Sequence, residues 1–167
     1  GYAAKYPENT LLALREAIKV GAHLIELDVQ LTSDLVPVML HDDSLLRTTG
    51  VDRKIFDLSS TDLKSTGGLE QVSTLEDVAV WLKECSQTCS ELKAFVELKQ
   101  ESIDEYGLEV CMEALAKACS SVFDLCVFIS FNPDAVSLSK SVGFKESGWV
   151  LPLYSDSSLK VAEALSP

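Results

Sequence analysis

Apolar and polar positions along the chain switch between two periods. Residues 8–20 place Leu11, Leu12, Leu14, Ala17 and Ile18 on one helical face, and Gly21 supplies a stop. Residues 22–29 then run apolar except for His23, Glu26 and Asp28, and 36–40 form a second apolar run that ends at His41-Asp42-Asp43. The stretch 44–74 is polar and irregular, with Gly50, Gly67 and Gly68 and one short helical piece at 59–63, and reads as an excursion from the main fold. Thr74 caps the next helix, with Asp77 at its third position. Beyond it lie a strand at 93–99, a long amphipathic helix at about 104–120, a strand at 125–130, a helix from Pro133, a strand at 147–154 and a last helix from near Ser157. Five nearly all-apolar runs separated by helices predict an α/β fold with a parallel sheet buried on both faces, either doubly wound or closed as a barrel. No Gly-x-Gly-x-x-Gly or Walker loop follows any of these strands, so a nucleotide-binding open sheet loses its main support.

Composition narrows the classes further. The chain has 167 residues, 47% apolar and 24% charged, which suits one globular domain with a real core. Its net charge of −12 leaves no Lys/Arg stripe to displace counterions from nucleic acid, and argues equally against an anionic membrane surface. No apolar run reaches the ~18 residues of a membrane span, so no stable membrane insertion is expected. The five cysteines are odd in number and include no Cys-x-x-Cys pair, and no His near Cys85 and Cys89 completes a zinc set. They read as buried, reduced thiols of a cytoplasmic protein. The sequence has no initiator Met and stops just after a helical pattern, so a fragment is expected.

Candidate chemistry centres on Glu26-Leu27-Asp28. Residues i and i+2 of a strand share a face, so these carboxylates lie together in an otherwise apolar layer. Two ionised carboxylates there repel each other and lose solvation, unless they sit at a strand end in water or beside Lys, or share a cation. Oxygen-only ligands suit Mg²⁺ or Ca²⁺ rather than zinc. Glu97-Leu98-Lys99 repeats the spacing on a later strand, and His41 directly follows the second apolar run, all at the strand ends where parallel α/β folds build sites. Glu26, Asp28 and Glu97 (−3), one divalent ion (+2) and Lys99 (+1) sum to zero, so such a site accepts a phosphodiester anion without severe repulsion. His41 is able to move a proton near neutral pH. Asn9 either approaches this site or helps start the first helix. Phe131, at the end of 125–130, either lines a substrate pocket or joins the core, and Asp42 and Asp43 either orient His41 or are solvated loop acids. His23 reads as structural or exposed, and Trp81 and Trp149 as core.

Together these residues resemble the glycerophosphodiester phosphodiesterases. That family carries His-Arg-Gly, Pro-Glu-Asn-Thr, Glu-x-Asp, Pro-Val-x-x-His-Asp, Arg-Thr-Thr and Glu-x-Lys in order. The chain offers Pro7-Glu8-Asn9-Thr10, Glu26-Leu27-Asp28, Pro37-Val38-Met39-Leu40-His41-Asp42, Arg47-Thr48-Thr49 and Glu97-Leu98-Lys99. The resemblance implies a (β/α)8 TIM-type barrel that fills residues 1–167 incompletely, with its first and last strands outside them and a small insertion at about 44–74. It implies Glu26, Asp28 and Glu97 as ligands of one divalent cation, Lys99 near the substrate phosphate, and His41 as a catalytic histidine. The implied reaction is hydrolysis of small glycerophosphodiesters, such as glycerophosphocholine or glycerophosphoethanolamine, to sn-glycerol 3-phosphate and an alcohol, as part of glycerophospholipid catabolism. Gly1 aligns with the glycine of His-Arg-Gly, so a second histidine and an arginine are expected just before it, and the given polypeptide is expected to be inactive alone. Leu35 stands where the family often has Gly after Ser33-Asp34, and its turn is expected to avoid positive φ. A related barrel lipase of the phospholipase D or sphingomyelinase type, or a non-catalytic phosphodiester-binding remnant, are the competing readings.

Overall fold

The computed structural model describes residues 1–165. Its sheet has the order β2-β1-β3-β4-β5, formed by β1 (Leu24–Leu31), β2 (Pro37–Met39), β3 (Lys93–Leu98), β4 (Cys126–Ser130) and β5 (Glu146–Trp149). β1, β3, β4 and β5 run parallel, each returning through helices: α4 (Leu75–Ser86) before β3, α5 (Gln100–Tyr106) and α6 (Leu108–Cys119) before β4, and α7 (Pro133–Ser139) before β5. α1 (Leu11–Lys19) precedes β1, and α8 (Asp156–Leu165) follows β5.

Period-2 alternation divides the sheet into two faces. Ile25, Leu27, Val29 and Leu31 of β1, Ala94, Val96 and Leu98 of β3, and Cys126 and Phe128 of β4 join the main core with α1, α4, α6 and α7. Glu26 and Asp28 occupy the alternate positions of β1, and Glu97 the alternate position of β3, so all three carboxylates share the other face. A second cluster of Val38, Leu40, Leu45, Ile55, Leu58, Leu63 and Leu69 lies under β2. The excursion between β2 and α4 is therefore packed rather than loose. It holds α2 (Leu46–Thr49), a 3-10 turn at Ile55–Asp57 and α3 (Ser60–Ser65), the last closed by a reciprocal cap between Ser59 and Asp62.

Four sequence expectations change. β2 pairs with β1 antiparallel, with Met39 opposite Val29 and Pro37 opposite Leu31. The link of Thr32–Val36 is too short for the crossover a parallel neighbour needs, which takes a dozen residues or more. Leu35 does adopt positive φ (61°), because Leu35 N–H donating to Thr32 O (2.9 Å) and Thr32 N–H donating to Val36 O (3.1 Å) tighten the hairpin. Gly107, at φ 85°, splits the long helix of 104–120 into α5 and α6. The strand at 147–154 ends at Trp149: Leu153 and Tyr154 lie 72% and 79% exposed, and Pro152 lacks an N–H for a ladder. All five cysteines are free thiols, with Cys111, Cys119 and Cys126 buried. No helix among the described residues is long and apolar enough to cross a membrane.

The segment before α1 is fixed by its cap. Thr10 accepts a bond from Ala13 N–H (3.1 Å) and donates to Pro7 O (2.8 Å). Thr10→Ala leaves the buried Ala13 N–H and the Pro7 carbonyl without that partner, and the expected loss of unfolding free energy is about 1–2 kcal/mol by urea denaturation.

Candidate active site

Asp28 and Glu97 are register partners on adjacent parallel strands, and Glu26 lies two residues earlier on β1. One carboxylate oxygen from each of the three lies within 4.8 Å of the others. Asp28 and Glu97 are buried, whereas Glu26 opens to solvent. Lys99, directly after β3, donates to Glu97 Oε1 at 2.8 Å and to Asp28 Oδ1 at 3.3 Å. Asn9 uses its whole carboxamide on Asp28: Nδ2 donates to Oδ2 (2.8 Å), and Oδ1 accepts from the Asp28 N–H (3.0 Å). Asn9 is at φ 48°, a left-handed conformation that Asn tolerates better than most residues. Its place is thus at the carboxylates as well as just before the helix.

Charge compensation is uneven. Lys99 and Asn9 serve Asp28 and Glu97, while Glu26 has neither. Partial burial of its carboxylate, then the like charges of Asp28 and Glu97, raise its pKa to about 7. Burial and the two neighbouring negative charges act in the same direction, both favouring the neutral carboxyl. Hard oxygen donors in a tight, under-neutralised cluster are a suitable set for a divalent cation.

His41 arrives by an unexpected route. Because β2 folds back along β1, its end returns to the level of Asp28, where Leu40 N–H donates to Asp28 O (3.0 Å). The imidazole then pairs through Nδ1 with Asp42 Oδ1 at 2.7 Å. Asp42 thus contacts His41, whereas Asp43 is paired with Lys54 at 2.6 Å. Phe131 is 44% exposed after β4 and is no part of the core. Its carbonyl accepts from Trp149 Nε1 at 2.8 Å; Trp149 is half-buried and packs against the main core, in which Trp81 lies. His23 is exposed just before the start of β1, five residues before Asp28.

Gln30, which the sequence reading missed, continues the face of Glu26 and Asp28. Fully buried, it donates to His41 O (3.1 Å) and accepts from Ser102 Oγ (2.5 Å). The signal was present as the third polar residue at period two.

Comparison with known proteins places this geometry. Residues 1–142 match the model of the glycerophosphoryl diester phosphodiesterase family. The Bacillus subtilis protein YqiK is 34% identical over 148 residues, 83% of this chain and 58% of that protein. Glycerophosphodiester phosphodiesterase 1 of Rattus norvegicus is 51% identical over 53 residues, 32% of this chain and 16% of that protein. The solved structure of an Oleispira antarctica phosphodiesterase in complex with the product sn-glycerol-3-phosphate superimposes with a TM-score of 0.81 at 28% identity, covering 99% of this chain and 69% of that one. The chain spans well under two thirds of the two curated relatives, and the structural match makes its five-stranded sheet part of a TIM-type α/β barrel. With the family model covering 1–142, the chain belongs to the glycerophosphoryl diester phosphodiesterase family.

Proposed function

We propose that this chain forms the catalytic face of an enzyme that hydrolyses glycerophosphodiesters, such as glycerophosphocholine, to sn-glycerol 3-phosphate and an alcohol. The observation that carries the reading is the convergence of Glu26, Asp28 and Glu97 within 4.8 Å, beside Lys99. Residues 1–167 are read as one barrel domain, with the packed segment 44–74 as its insertion. Glu26, Asp28 and Glu97 would hold one Mg²⁺ or Ca²⁺, which supplies positive charge to polarise the phosphodiester. Lys99 adds the ammonium that meets the phosphate oxygens, and exposed Phe131 lines the substrate pocket. His41, anchored at Nδ1, moves one proton while a glycerol hydroxyl attacks phosphorus, the P–O bond to the alcohol breaks, and water then opens the cyclic phosphate. A second proton carrier is needed on the opposite side, and among residues 1–165 the other histidine, His23, lies at the far end of β1. The 167-residue polypeptide alone is therefore expected to turn over glycerophosphocholine no faster than its His41→Ala variant.

The deciding assay is a head-group panel on the full-length chain with Mg²⁺ or Ca²⁺ and a Glu26→Gln control. Glycerophosphocholine, glycerophosphoethanolamine and a lysophospholipid form the panel. Release of sn-glycerol 3-phosphate supports the reading. Turnover of the lysophospholipid alone favours the barrel-lipase alternative, and phosphodiester binding without turnover favours a non-catalytic module.

A proton and a cation compete for Glu26. Without the ion its pKa is about 7, so it is mostly protonated at pH 6 and mostly ionised at pH 8. Apparent divalent-ion affinity is expected to rise about tenfold between those pH values. Calorimetric titration checks this, and a flat profile would remove Glu26 from the ligand set.

A further inference from the structure

Arg47 belongs to the Arg-Thr-Thr segment that the reaction above leaves without a task. It sits on α2, at the start of the packed excursion, and its guanidinium serves two carboxylates from distant parts of the chain. Nε donates to Asp42 Oδ2 and Nη2 donates to Glu8 Oε1, both at 2.6 Å. The second oxygen of Asp42 meets His41 Nδ1 at 2.7 Å. We propose that Arg47 is a positioning residue for His41: by holding Asp42 between itself and Nδ1, it fixes the imidazole in one tautomer and one orientation.

The hydrogen-bond inventory determines the tautomer. The Arg47 bond first, and the His41 bond second, hold the Asp42 carboxyl down at about 2. Asp42 is therefore ionised at any working pH and accepts only. Nδ1 must then carry the hydrogen, which leaves Nε2 as the nitrogen free to exchange a proton. Free imidazole prefers the other tautomer only weakly, so a fixed carboxylate suffices to select this one.

The arrangement has little value as a stabilising device. Arg47 and Glu8 side chains are 51% and 39% exposed, and surface pairs of this kind add little to stability. Its geometry is nonetheless well supported. α2 is anchored by fully buried Leu45, whose carbonyl accepts from Thr49 Oγ1 at 2.7 Å. Glu8 is the neighbour of Asn9, which grips Asp28. Two adjacent residues thus tie the imidazole arm and the carboxylate arm to one short segment. A lysine lacks the planar fork that reaches Asp42 and Glu8 together.

That His41 exchanges a proton with substrate rests on the function proposed above, whereas its orientation by Arg47 does not. The test is therefore split. In ¹⁵N-labelled full-length protein, at a pH where the imidazole is neutral, the His41 signals are expected to show Nδ1 protonated and Nε2 bare. In Arg47→Met they are expected to move toward a mixture of tautomers, and in Asp42→Asn, whose amide is able to donate, toward Nε2–H. In turnover assays, Arg47→Met is expected to lower kcat about 10- to 100-fold with KM and divalent-ion affinity within about threefold. Arg47→Lys should lie between, and added guanidinium should restore part of the activity of Arg47→Ala. The kcat loss should vanish in a His41→Ala background. Unchanged His41 signals in Arg47→Met overturn the proposal, as does an equal kcat loss with and without His41. Should the parent protein show no turnover, the function fails while the ¹⁵N signals still decide the orientation; should Arg47→Met not fold, the His41 signals of Arg47→Lys, expected to shift part of the way toward the mixture, decide.

Discussion

Glu97→Gln in the full-length chain is expected to remove measurable divalent-ion binding and to lower glycerophosphodiester turnover on the order of 10³-fold. Glu97 is 8% exposed, faces Asp28 across the strand pair, and holds Lys99 at 2.8 Å. Glutamine preserves its volume and leaves an acceptor for Lys99, so the fold is expected to survive. The lost unit of charge is decisive, because the cluster then offers a hard cation only two carboxylates. Replacing partners one shell further out already costs roughly 10- to 100-fold in metal sites, and a direct ligand costs more. Glu26→Gln provides the contrast. Its pKa in the ion-free protein, about 7, lies above the ordinary 4.5, so the folded state holds a proton that the unfolded chain releases. Stability of the ion-free protein therefore falls as pH rises through that window, and neutral glutamine removes the effect. Glu26→Gln is thus expected to weaken ion binding while leaving the ion-free protein at least as stable at pH 8. Calorimetry for the ion and denaturant unfolding with a chelator separate the two effects. Retained ion binding in Glu97→Gln would show that the carboxylates do not share a cation.

The parts of this site legible in the sequence are those that obey a local period. Glu26 and Asp28 share a face because strand side chains repeat every two residues, and Glu97 joins them because consecutive parallel strands align at the same level. Local period says nothing about strand direction, so the apolar run alone predicts a parallel β2, whereas the five-residue link at 32–36 permits only the antiparallel pairing the structure shows. The antiparallel return nonetheless brings the end of β2, and with it His41, to the level of Asp28. Gly107 was hidden differently: one glycine in an amphipathic pattern costs a helix only about 1 kcal/mol, so periodicity carries straight across a break. Leu35 accepts positive φ because two hairpin hydrogen bonds outweigh a local preference of about 1–2 kcal/mol. Arg47 was visible as part of a motif, but its partners Glu8 and Asp42 are 39 and 5 residues away, and no spacing rule joins them. Side chains that position others are the least legible, since their geometry exists only after the chain has closed.

Lys99→Met is expected to destabilise the ion-free protein by on the order of 3 kcal/mol, and saturating Mg²⁺ or Ca²⁺ is expected to return much of that loss. The Lys99 side chain is 11% exposed and bonds both Glu97 and Asp28. Burial opposes its charge, but these two carboxylates more than offset that and hold its pKa above the usual lysine value. Removing the ammonium leaves three clustered carboxylates with no cation among them, and breaking a buried pair from one side typically costs about 3–5 kcal/mol. A bound divalent ion supplies the missing charge. Any ligand specific to the folded state adds about 2.7 kcal/mol at a hundred times its Kd, and the variant, with no ammonium competing for the oxygens, should bind the ion more tightly than the parent. The ion-induced rise in Tm should therefore be larger in Lys99→Met than in the parent, while turnover still falls at least ~100-fold because the phosphate has lost its ammonium partner. Opposite signs for ion binding and turnover distinguish a phosphate-binding lysine from one that merely neutralises acid. Equal Tm shifts in parent and variant would mean that Lys99 and the ion do not answer to the same charges.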